Sequence, residues 1–150
     1  MKKFKFTLAT PLRVKLTQER QMQGELAAAT HRLRQMQEER DGLQFRFDTA
    51  AELYSQRLTQ GGVSLADMKT HSIGFTALRM RIADSEKKTE AADSEVLRIA
   101  HRLQTLNRER RVLEEVRTKQ LAAYRVEAEH ERERQLDDFV SAQQALMMRK

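Results

Sequence analysis

Apolar residues recur along most of this chain at alternating steps of four and three, and that spacing constrains the fold more than any other feature. In a first run the recurring positions are Leu8, Leu12, Lys15, Glu19, Met22, Leu26, Ala29, Leu33, Met36, Arg40, Leu43, Phe47, Ala50 and Tyr54, and 11 of these 14 are apolar. In a second run they are Met68, His71, Phe75, Leu78, Ile82, Ser85, Thr89, Ala92, Val96, Ile99, Leu103, Leu106, Arg110 and Leu113, and 10 of these 14 are apolar. A stripe with a period of about 3.5 residues is the seam that helices bury in a coiled coil. It is too narrow to cover the core of a globular bundle, so the spacing predicts an all-α chain of long paired helices.

The two runs are separated by Thr59-Gln60-Gly61-Gly62-Val63-Ser64. Adjacent glycines punctuate a helix strongly. Ser64 with Asp67 then reads as a capping box, in which the hydroxyl accepts from a free backbone amide and the carboxylate faces the positive helix end. A first helix is expected over about 10–58, a turn over 59–64 and a second helix over about 64–148, as one coiled-coil domain spanning 1–150. Pro11 fits the first helical turn, where its missing donor has no intrahelical partner anyway. Two matched seams joined by a short break fold back as an antiparallel hairpin. The competing structure, a parallel dimer of one continuous helix, needs neither the glycines nor the cap. At a rise of roughly 1.5 Å per residue, an arm of about 45–50 residues is about 70 Å long.

Four seam positions, Lys15, Glu19, Arg40 and Arg110, are charged. The plainer reading, adopted here, is that their stems cover apolar surface while their heads reach water. The sharper reading is control of register at a cost in stability.

A hairpin centred on Gly61-Gly62 sets Pro11 opposite roughly Val112, because equal arms match in rise. Residues beyond about Tyr124 then have no partner arm. Arg125 to Gln135 is nearly all polar, with only Val126 and Ala128 apolar. Leu136, Phe139, Val140, Leu146, Met147 and Met148 follow as a new apolar stripe. Such a stripe either docks on a partner or packs on the Phe4, Phe6 and Leu8 end of its own chain.

Composition excludes several classes of function. The chain has no cysteine, so disulfide frameworks and cysteine-based metal or redox sites are out. The Met1-Lys2-Lys3-Phe4-Lys5-Phe6 opening has the charge of a signal peptide, but Thr7, Thr10, Pro11 and Arg13 interrupt any apolar core. The net charge of +6 comes from acids and bases interleaved along the chain, as in Glu131-Arg132-Glu133-Arg134. Interleaved charge reads as a solvated helix face with local ion pairs rather than a strip for nucleic acid. His31, His71, His101 and His130 lie far apart. Glu127-x-x-His130 is half of a di-iron helix motif, set in the most polar stretch of the chain. Gly61-Gly62 lacks the lysine and the preceding strand of a phosphate loop. A two-helix hairpin offers no pocket to shift a catalytic pKa. No enzyme, no cofactor, no metal and no small-molecule substrate are expected.

Across its whole length the chain resembles the FliJ family, coiled-coil components of the bacterial flagellar protein export apparatus. The residues that carry the resemblance are Phe4-Lys5-Phe6 with Leu8 and Leu12, and then the basic-acidic run around Lys15 and Glu19-Arg20. The glycine turn follows with Ser64-Leu65-x-Asp67-Met68, then Leu78 and Ile82, then Leu136-Asp137-Asp138-Phe139 and the Met148-Arg149-Lys150 end. The resemblance implies a stalk of the export ATPase hexamer, similar to the stalk of rotary ATPases, which also contacts the membrane export gate and export chaperones. It implies gate contact near His71, Phe75, Leu78 and Ile82. Gly74 departs from the family pattern, where a large apolar residue is expected, and so does His71, where Tyr is common. Leu136, Asp137, Asp138, Phe139 and Val140 complete the expected partner-binding set. The expected protein is a monomer on its own, cytoplasmic, and peripherally associated with the inner membrane. The alternatives are the equivalent stalk of a virulence type III secretion system and a basic coiled coil that binds nucleic acid.

Overall fold

The computed structural model describes residues 3–149; Met1, Lys2 and Lys150, quoted above in the chain's opening and ending motifs, lie outside the described residues. Two helices make up the fold: α1, Ala9–Thr59, and α2, Leu65–Met148. Residues 3–6 precede α1 without regular structure. By internal contacts the chain divides into two units, one of residues 21–103 and one of residues 1–20 with 104–150.

The unit of residues 21–103 contains the turn. Its contacts run in opposite senses along the two helices. Met36 meets Thr89 through a hydroxyl donated to the Met36 carbonyl at 3.3 Å. Phe47 meets Phe75 at 5.5 Å between ring centroids, and Tyr54 meets His71 at 4.5 Å. As the first index rises the second falls, so the pairing is antiparallel. Gly61 takes φ 73°, the left-handed conformation that ends helices and that glycine reaches without steric cost. The Ser64 N–H donates to Asp67 Oδ2 at 3.3 Å, and the Asp67 N–H donates to Ser64 Oγ at 3.2 Å. This reciprocal pair is the capping box, and it satisfies two of the amides a helix start leaves free. Hydrogen bonds from the Ser64 hydroxyl first, and from its backbone second, hold the Asp67 carboxyl below its ordinary value.

In the other unit the start of α1 lies antiparallel along α2. Thr7 hydrogen bonds to Gln120, Lys15 pairs with Glu109 and Glu19 pairs with Arg110. Phe4 packs on Tyr124 at 5.4 Å, tilted by 54°. The most deeply buried side chain here is Leu106, with 1% of its surface exposed, and Leu12 is also buried.

The seam falls where the heptads put it. All the α1 positions named above are buried or half-buried, and in α2 only Met68 is exposed. The fold is a two-helix antiparallel coiled-coil hairpin with a helical overhang at its C-terminal end.

The charged seam positions depart from the expectation. Glu19 is buried, and its Oε2 accepts from Arg110 Nε at 2.6 Å. Arg110 Nη1 also donates to Glu114 at 2.8 Å, and Lys15 Nζ pairs with Glu109 Oε2. The heads of Glu19 and Arg110 turn across the seam to each other, and that of Lys15 turns to Glu109 on the other helix. Hydrogen bonds to Glu114 first and Glu19 second push the Arg110 guanidinium's pKa up further. Arg40 alone behaves as read, pairing at 3.0 Å with the exposed, adjacent Asp41.

Candidate partner-binding surfaces

Among the described residues no group of three or more His, Asp and Glu could hold a metal ion. No helix among them is long and apolar enough to cross a membrane. The surfaces that remain are helix faces, and two of them contain the residues singled out from sequence.

The first lies beside the turn. Phe47, Tyr54, His71 and Phe75 form one ring cluster, with Tyr54–Phe75 at 5.8 Å and His71–Phe75 at 6.2 Å. The Arg79 guanidinium sits 5.5 Å from the Phe47 ring centroid, within cation–π range. The heptad puts His71, Phe75, Leu78 and Ile82 on the seam side of α2, and all four are half-buried there. What they offer outward is the rim of the cluster. Sequence reasoning missed the back of this segment. Ile73 and Met80 are 71% and 68% exposed, one heptad apart, on the face turned away from α1. From Thr70 to Leu78 there is no Asp, Glu, Lys or Arg, in a chain that is 33% charged. The available signal was this second apolar spacing of seven, out of phase with the seam.

The second surface is the overhang. Residues 132–149 are exposed without exception. Leu136, Phe139, Leu146, Met147 and Met148 each expose more than 60% of their surface, and Val140 is also exposed. Asp137 and Asp138 are exposed and take part in no ion pair among the described residues. Of the two covers weighed from sequence, the chain's own N-terminal segment does not serve. Phe4 lies on Tyr124, and with Lys3 and Lys5 it lines a groove whose far wall reaches only to Glu127 and Glu131.

The overhang also changes face. The side of α2 that meets the first arm carries Gln120, Tyr124, Ala128 and Glu131, all half-buried. Continued at 3.6 residues per turn, that track runs through Gln135, Asp138, Ala142 and Ala145, which carry no large apolar side chain. The Leu136, Phe139, Val140 and Met147 stripe is rotated from it by more than a third of a turn, and by nearly half a turn if the 3.5 period persists. A partner on this stripe does not extend the track of the first arm.

Neither a search of curated proteins nor one of solved structures found a match. The family model described as the flagellar FliJ protein matches residues 4–148, nearly the whole chain. The chain therefore belongs to the FliJ family, whose role lies in flagellar protein export.

Proposed function

We propose that this chain is a non-enzymatic stalk and adaptor of the flagellar type III export apparatus, and that its overhang is the part that enters the export ATPase hexamer. The observation that carries the reading is the exposure of every residue from 132 to 149 in a segment that is helical and has an apolar stripe. Exposing several large apolar side chains on one helix is unfavourable unless something covers them. Leu136, Phe139 and Val140 supply the contact area, and Asp137 and Asp138 supply unpaired charge beside it. The rim of the turn-end cluster, with His71, Phe75, Leu78 and Ile82, is the proposed contact for the membrane export gate. Export chaperones are the third partner class. The reading places a monomer in the cytoplasm, held at the inner membrane through those contacts.

The test uses the cognate export ATPase with the full chain and with a chain ending at Gln135. The deletion removes only exposed residues, so the main unfolding transition is expected to stay in place. Binding and ATPase stimulation are expected to fall at least tenfold. Full-length Phe139→Gln is expected to weaken both in the same direction. Unchanged binding by the shortened chain overturns the assignment. So does collapse of the hairpin while binding per folded molecule survives, because the segment would then be a structural clasp.

A further inference from the structure

The charged layer in the unit of residues 1–20 and 104–150 is more than an interruption of the seam. Two cross-helix ion pairs lie one seam step apart on α1, Lys15–Glu109 and Glu19–Arg110, and Glu114 holds the other side of Arg110. Glu19 is only 7% exposed, and its second oxygen, Oε1, is buried without a hydrogen-bond partner. A layer built that way contributes little net stability, because desolvating the charges offsets their attraction. It is nevertheless selective, because Glu19 is buried and losing Arg110 strands its charge.

We propose that this layer is a register lock: it fixes where the first arm lies on α2, and so how much of α2 is left uncovered. The alternatives it rejects can be named. A shift of one seam position in either direction sets a leucine, Leu106 or Leu113, against Glu19. A shift of a full heptad one way sets Leu103 against Glu19 and Arg102 against Lys15. The opposite heptad shift offers Arg117 to Glu19 but Val116 to Lys15. Only the observed register satisfies both pairs. A parallel pairing of two copies sets Glu19 against Glu19 and Arg110 against Arg110, so the same layer selects the single-chain hairpin. Apolar seam positions cannot do this, because one leucine meets another as well as the next. The glycine turn sets register beside itself. Long coiled coils absorb phase errors as stutters of three or four residues, and a lock near the end of the first arm is what excludes them there. One heptad of slip changes the overhang by seven residues, or about 10 Å.

The experiment measures register directly and does not depend on the export reading. The chain has no cysteine, so spin labels on Thr17→Cys and Arg111→Cys, both exposed positions, report one distance. The native layer is expected to give a single narrow distribution and a monomer in sedimentation. The variant Lys15→Leu/Glu19→Leu/Glu109→Gln/Arg110→Leu is expected to resist urea at least as well. It is also expected to show a second population shifted by about 5–10 Å, or a dimer. One unshifted distance in a monomer overturns the proposal. So does a lower urea midpoint or a failure to fold, because the layer would then be a source of stability and not of selection. The variant Lys15→Met/Glu109→Gln provides an independent check, since it leaves Glu19–Arg110 in place. It is expected to admit the Arg117 register, with a shorter overhang, and no other; a single native distance in this variant also overturns the lock.

Discussion

Leu106→Ala is the substitution whose cost the structure fixes best. Leu106 exposes 1% of its surface, whereas Leu33 and Leu103, seam leucines of the same chemistry, are only half-buried. Truncation removes three carbon atoms. At about 0.8 kcal/mol per buried methylene the transfer loss at Leu106 is about 2.4 kcal/mol. A cavity adds to this, but a two-helix seam opens to water on its flanks and partly collapses, which keeps the total near the lower end of the range for buried leucines, about 3 kcal/mol. At Leu33 and Leu103 part of the side chain is already wet, so about 2 kcal/mol is expected for each. The assay is urea unfolding followed by far-UV circular dichroism, with the three variants compared at equal slope. If Leu106→Ala costs no more than Leu33→Ala, burial does not govern the energetics of this seam and the reasoning fails. Unchanged curves for all three would mean that the seam itself is misplaced.

Four further substitutions concern the turn and its cap. Gly61→Ala forces a side chain into the left-handed region and should cost about 1 kcal/mol, although no atom lies within 4 Å of the added Cβ. Gly62→Ala, also with open space but without positive φ, should be neutral or stabilising by about 0.5 kcal/mol, so urea midpoints that shift equally would refute the distinction. Ser64→Ala removes an acceptor from the Asp67 amide and should cost about 1 kcal/mol in the same titration. Because the Asp67 carboxyl is held below its ordinary value of 3.8, its contribution is present above that pH and is lost as pH falls through the lower folded value. Asp67→Asn should therefore flatten the acid limb of stability against pH, and a parallel limb would refute the role of this carboxylate.

The hairpin was legible because helix geometry leaves so little choice. A period near 3.5 can only mean a seam, and Gly61 with the Ser64–Asp67 cap can only end one helix and start another. The presence of an overhang followed from matching two arms of equal rise, but half-buried Ala128 and Glu131 put its exposed part at 132–149 rather than from Tyr124 on. What periodicity does not contain is phase across the seam. It says that Lys15, Glu19 and Arg110 face inward, but not which of them meet, because that depends on an offset between two segments about 90 residues apart, as the sequence separations of 94 and 91 show. Without the offset, the stem of a lone seam lysine reaching water was the simpler picture. With it, Glu109 and Glu114, which the stripe leaves outside the seam, become its partners.

The same limit explains the candidate surfaces. A seam pattern marks residues that a helix has already used, so His71, Phe75, Leu78 and Ile82 stood out for the reason that also half-buries them. Ile73 and Met80 did not stand out, because isolated exposed apolar residues are ordinary on a protein surface. Leu136, Phe139 and Val140 differ from both groups. They occupy positions that the arm-facing track of α2 leaves free, in a stretch where that track carries only Gln135, Asp138, Ala142 and Ala145. If the overhang merely prolonged the coiled coil, its apolar residues would follow the track. Their rotation off it separates the part of α2 that holds the hairpin together from the part that is free to hold something else. The register of the first arm sets where one gives way to the other.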